Sequence, residues 1–224
     1  MKREFLTLAL SLGVLGTAHA QFGGLGGLMG GSKNSGGGDV SALVDEFNRD
    51  SSLIQAAVAN SLTQIIAALG DKEQIAVVKA KNDSLSKTTD AKEIGSIQGS
   101  VIKEQSAVAQ QLLDSASAKE KMEKMAPEMQ KKVSLSILNV GIAGLKVPSM
   151  LDKGKKAMEG VGNNPMMISK IVPIKDGVAL FSDTLPKMTQ IASVGFKLMK
   201  DVKVDAGTPT AGAKMEPVSV SFPE

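Results

Sequence analysis

Residues 39–70, DVSALVDEFNRDSSLIQAAVANSLTQIIAALG, decide the fold class. Leu43, Phe47, Ile54, Val58, Leu62, Ile65 and Leu69 recur at intervals of four, seven, four, four, three and four. That spacing places them on one face of a long α-helix, because residues three, four and seven apart share a face at 3.6 residues per turn. Asp39 is the predicted N-cap and Gly70 the predicted stop. A helix with one apolar face must bury it against other elements, so the rest of the chain is expected to supply helical partners.

Downstream, the same periodicity continues in shorter units. Ile75, Val78 and Leu85 mark a weaker second helix that fades near Lys87. Asp90 followed by Glu93 resembles a capping box and opens a third, with Ile94, Ile97, Val101, Val108 and Leu112 on its stripe. Gly95 and Gly99 within it would allow close approach of another helix. Ser117 and Glu120 form a second predicted capping box, for a short charged helix carrying Met122 and Met125. Pro127 restarts the chain. From Val133 to Val147 only Ser134, Ser136, Asn139 and Lys146 are polar. At about 15 residues this apolar run is shorter than the roughly 20 that cross a bilayer, so it predicts a buried central helix or hairpin. A tongue that inserts into lipid is the sharper alternative.

Beyond Pro148 the pattern is choppier. Ser149–Glu159 predicts one short helix and Asn164-Pro165 a helix start, and Pro173 and Pro186 divide the chain beyond it into short helices. The last, near Lys187–Lys200, partly buries Ile191, Val194, Phe196 and Leu198. After Val204 the composition is that of turn and linker, and Val218, Val220 and Phe222 alternate with serine as in an extended segment.

Upstream, residues 22–38, FGGLGGLMGGSKNSGGG, form a glycine tract that reads as a flexible lead. Phe22, Leu25, Leu28 and Met29 make a membrane or partner anchor the second reading. No G-x-x-x-x-G-K-[ST] can be aligned in it, so it is not a phosphate loop of that kind. The first twenty residues carry a basic start at Lys2 and Arg3, an apolar stretch from Phe5 to Gly16, and the small-x-small pattern Ala18-His19-Ala20. In that order they read as a cleaved secretory signal, leaving Gln21 first. The expected divisions are therefore a signal peptide over 1–20, a glycine-rich lead over 21–38, a helical domain over 39–203 and a tail over 204–224. The fold expected is all-α: an antiparallel helical bundle with two long N-terminal helices, a proline-broken C-terminal helical part, and flexible ends.

Composition excludes more than any motif assigns. The one histidine is His19, and the chain has no Cys, Trp or Tyr. Beyond the signal no residue can form a Ser-His-Asp triad, a Cys-His nucleophile, a zinc site built on histidine or cysteine, or haem ligation through histidine or cysteine. Ser84–Lys87 and Ser100–Lys103 match S-x-x-K, but no Lys-Thr-Gly or Ser-Asp-Asn accompanies them, and both are discounted as chance. No catalytic, cofactor or metal residue is nominated.

Losing Lys2, Arg3 and Glu4 with the signal takes the formal net charge from +3 to +2. Arg49 is then the only arginine. So small an excess, carried by lysines, argues against nucleic acid as a partner. Six phenylalanines are the only aromatic residues, which supplies stacking surfaces poorly.

Methionine is the enriched residue. Met122, Met125 and Met129 lie at i, i+3 and i+7 and read first as adaptable core packing, second as a malleable surface for a partner helix or acyl chain. A thioether copper site is the third and weakest reading. With Ile137 and Ile142 they are the candidate contact residues. The expectation is an exported, non-enzymatic helical protein, periplasmic or secreted, that works by protein–protein interaction. The alternative is a lipid- or membrane-interacting protein using residues 133–147 and the methionine faces.

Overall fold

The apolar face of α1 (Gly37–Leu69) organises everything else. Val44, Phe47, Ile54, Val58, Leu62, Ile65, Ile66 and Leu69 on it are buried. The computed structural model describes residues 37–162 and 171–223. Within them lie six helices and no strand, in an all-α bundle. After α1 come α2 (Lys72–Lys87), α3 (Ala91–Asp114), α4 (Ala116–Glu123), α5 (Pro127–Gly162) and α6 (Ile171–Asp201). The predicted signal, most of the glycine lead and the Asn164-Pro165 helix start lie outside the described residues. Gly37 and Gly38 belong to α1, so the helix opens two residues before the predicted cap at Asp39.

Helices α1, α5, α6 and α3 surround one core, with α1 against both α5 and α3, and α6 against the same two. Phe47 meets Gly154 while Gln64 meets Met129, so α1 and α5 run antiparallel. α2 is a short return leg that lets α3 run in the direction of α1, as the neighbours Gln55–Gly95 and Leu69–Lys121 show. The lysine donates to the Leu69 carbonyl at 2.6 Å and satisfies one orphan acceptor at the end of α1.

Three sites between helices need glycine for contact, one of them Gly160, where a Cβ would come within 2.6 Å of Val40. A Cβ on Gly195 would come within 2.7 Å of Ile137, and one on Gly154 within 2.7 Å of the Phe47 ring. These glycines let α6 and α1 approach α5 closely. Gly95 and Gly99 allow only ordinary contacts, the nearest at 3.8 and 3.6 Å.

Several expected boundaries are corrected. Gly70 does end α1, its N–H bonded to the Ile66 carbonyl at 2.7 Å. Asp90 caps α3 through the Glu93 N–H at 2.8 Å. Asp71 and Gln74 form a full capping box on α2 that the apolar pattern did not announce. The predicted box at Ser117 is not one, because α4 starts at Ala116 after Ser115 and Ser117 lies inside it. The buried face of α3 is Val101, Ile102, Gln105, Ser106, Ala109 and Leu113, rotated from the predicted stripe so that Ile94 and Ile97 are only half-buried.

The proline-broken C-terminal part is the largest correction. α5 runs through Pro148, and α6 runs through Pro186 with Pro173 in its first turn. A first-turn proline removes an N–H that would have had no helical partner. Pro148 and Pro186 each forgo one hydrogen bond, but both face solvent. The opposite faces are locked by Val147, Met150, Leu180, Phe181, Thr184, Met188 and Ile191, all buried. That packing outweighs one lost bond per helix.

Consequently the apolar run 133–147 belongs to a 36-residue helix. Val40–Leu69 and Pro127–Val161 are each long and apolar enough to cross a membrane by length and composition, yet 61% of each apolar window is buried inside the bundle. A core helix meets the same description.

The expectation of a free tail is likewise corrected. Residues 204–223 form no helix or strand, but they lie against the bundle. α6 ends in a Schellman turn: Val204 N–H bonds to Met199 C=O at 2.9 Å and Lys203 N–H to Lys200 C=O at 3.2 Å. Lys203 holds the left-handed position, φ 59°, where glycine is usual. The chain then climbs α5, with Ser134 donating to the Asp205 carbonyl at 3.0 Å, Gly207 against Leu138 and Pro209 against Gly141. It turns at Thr210–Ala213 and descends between α5 and α1 to Ser221.

Candidate functional site

The descending limb of the tail is held by main-chain contacts. Asn139, fully buried on α5, donates its amide N–H to the Glu216 carbonyl at 2.8 Å and accepts from the Glu216 N–H at 3.1 Å. Gln64, fully buried on α1, accepts from the Ser221 N–H at 2.8 Å and donates to the Met129 sulfur at 3.1 Å. Lys132 donates to the Ser221 hydroxyl at 2.5 Å. Side-chain amides suit this task because each carries both a donor and an acceptor, as an extended backbone does.

Where the tail turns, it walls a cleft of about 320 Å³ between α1 and α5. Ile54, Met150 and Met215 line it, with Ala211 from the turn itself. Leu53 and Leu145 also line it and remain 42% and 48% exposed, two of the four large exposed hydrophobics among the described residues. Lys146, Ser149, Asp50 and Lys153 add polar groups.

Lys153 is engaged already. It forms an ion pair with Glu46 and a second with Asp50 at 3.4 Å. The hydrogen bond from Lys153, then its charge, holds the Glu46 carboxyl below its ordinary range. In turn the hydrogen bond to Glu46, outweighing partial desolvation, holds Lys153 above the ordinary lysine value. These side chains tie α5 to α1 beside the cleft; a lysine kept charged in this way is no proton acceptor.

A second, more polar recess of about 380 Å³ lies between α2 and α3, lined by Lys81, Ser84, Glu93, Ser96, Ile97 and Ser100. Both S-x-x-K serines border it. Ser84 donates to the Ala80 carbonyl at 3.1 Å, whereas Ser100 donates to Glu104 at 2.5 Å and receives Lys81 at 2.8 Å. Lys81 also pairs with Glu104 at 2.7 Å. Hydrogen bonds from Lys81, then Ser100, depress the Glu104 carboxyl. A depressed carboxylate already engaged by Lys81 and Ser100 is a poor general base, so the cluster reads as an interhelical tie.

The candidate contact residues are dispersed. Met122, Ile137 and Ile142 are buried in the core, leaving them no surface for a partner in this conformation. Met125 and Met129 are half-buried, and Met129 is engaged by Gln64. None of the five lines the cleft. Its residues escaped sequence reading because Leu53, Leu145, Met150 and Met215 come from three separate segments. The available signal was Leu53, an apolar residue off the α1 stripe.

No group of three or more His, Cys, Asp or Glu among the described residues could hold a metal ion. Comparisons with protein-family models, with curated proteins and with solved structures each gave no match.

Proposed function

We propose that the chain is an exported, non-enzymatic protein of the periplasm or the medium that acts by protein–protein interaction, with the α1–α5 cleft as its contact surface. The observation that carries this reading is the pair Leu53 and Leu145, large apolar side chains left nearly half exposed on opposite walls of one apolar-floored cleft. Exposed hydrophobics are unremarkable singly; converging on a concave site they favour a binding role. Export rests on the signal-like first twenty residues.

Lipid contact is the second reading, supported by the two helices of membrane-crossing length and composition. A photoreactive amino acid at position 145, with position 119 on exposed α4 as control, tests both in the native host. A protein adduct specific to 145 supports the first reading, and a lipid adduct supports the second. Equal labelling at 145 and 119 refutes the cleft as a contact surface.

A further inference from the structure

We infer that the groove between α1 and α5 receives residues 214–222 from a second copy of this chain, so that two copies exchange their descending tail limbs; this rests on reading the cleft as a protein-contact surface. The groove recognises main chain. Asn139 pairs with both backbone groups of Glu216, and Gln64 takes the Ser221 N–H. A tail from another copy presents the same atoms in the same order, so exchange forfeits none of these bonds.

Beyond its hydrogen bonds the limb buries few side chains. Of residues 204–223 only Val218 is buried, while Val220, Ser221 and Phe222 are half-buried. The turn that folds it back is lightly held. One backbone hydrogen bond closes it, Ala213 N–H to Thr210 C=O at 3.1 Å, and Gly212 within it faces open space. Opening that turn converts the descending limb into an arm.

The position of the turn favours a second copy as occupant. Ala211 and Met215 flank it and line the cleft between the exposed Leu53 and Leu145. An arm crossing between two copies at this point brings their two cleft mouths together. The apolar side chains that the single chain leaves in water then cover one another, a gain the closed monomer lacks.

Complementation between two full-length variants tests the exchange. Asn139→Leu spoils the groove and keeps the tail; Val218→Asp spoils the tail and keeps the groove. Native mass spectrometry should show dimers of the parent chain that increase with concentration. Each variant alone weakens the closed monomer and the exchanged dimer alike, whereas in a mixture the heterodimer should exceed its statistical share, because it alone regains one intact groove-tail contact. Circular dichroism checks that both variants remain helical; Val218 lies outside the helices. Because a glycine-serine insertion after Gly212 eases closure of each limb on its own copy, it should also reduce the dimer, independently of either lesion.

A parent chain that stays monomeric, or a mixture whose heterodimer does not exceed its statistical share, overturns the exchange. If exchange fails while position 145 still crosslinks to a different protein, the contact-surface reading stands and the second copy is the wrong partner. Failure of both removes the cleft as an interface.

Discussion

Asn139→Leu should release the descending limb of the tail without unfolding the bundle. Asn139 makes two hydrogen bonds to Glu216, at 2.8 and 3.1 Å. Each contributes about 1 kcal/mol net, so the substitution removes about 2 kcal/mol from the closed limb. Leucine has nearly the shape of asparagine and leaves no unsatisfied polar atom on α5. Glu216 is exposed, so water can take up its freed backbone groups. At 1.4 kcal/mol per tenfold, the open population rises about 30-fold. Trypsin reads this directly, since the Lys214–Met215 bond lies at the head of the limb. Where closing outpaces cleavage, the rate of cutting follows the open population. The variant should be cut after Lys214 about 30-fold faster than the parent, with its helical circular dichroism unchanged. A rate within about twofold of the parent would refute the reasoning, because the limb would then be held by something other than these bonds.

Three further substitutions probe the scaffold. Lys203→Gly relieves a lysine at φ 59° in the turn ending α6 and should stabilise by about 0.5–1 kcal/mol, read as a higher urea midpoint; a lower midpoint argues against strain there. Gly195→Ala places a methyl 2.7 Å from Ile137 and should destabilise by about 1–3 kcal/mol, yet cost almost nothing in an Ile137→Ala background. Additive effects in that cycle would show that the two helices do not meet at this point. Lys153→Met should lower the melting temperature by a constant amount through neutral pH. That loss should shrink as pH falls through the depressed titration of Glu46, since the ion pair acts only while its carboxylate is charged. It should shrink again as pH rises through the raised titration of Lys153. A melting-temperature deficit largest at about pH 3 or about pH 11 would contradict this assignment.

Helix content was legible because its signals are local. Six of the seven predicted stripe residues on α1 are buried, with Leu43 half-buried and Val44 taking its place, and Gly70 and Asp90 act where their side chains and position dictate. The two mid-helix prolines mislead for a common physical reason. Proline sets a local penalty, and a sequence pattern does not show whether the opposite face carries enough packing to exceed it. Pro148 and Pro186 sit on the solvent side of helices whose inner faces are locked against their neighbours in the bundle. Ile97 misleads differently. Helix α3 satisfies its core with Ile102, Ala109 and Leu113, and fixes its rotation partly with buried Gln105 and Ser106, which no apolar count includes.

The tail and the cleft depend on how α5 is surrounded. Between Val133 and Ala143 nearly every residue of α5 is buried, including those pointing away from the core. In a ring of four helices each has two close neighbours, so its outer face needs another cover. The tail supplies that cover as extended chain, which brings backbone N–H and C=O groups that must be paired. Such pairing requires polar side chains inside an apolar run. Ser134, Asn139 and Lys146 interrupt the most apolar stretch of the chain, and the first two bond to tail backbone while the third lines the cleft. The remaining interruption, Ser136, bonds to the Lys132 carbonyl within its own helix. Polar residues placed where a central helix should be apolar mark the groove, and a groove that binds main chain can accept the same segment from either copy.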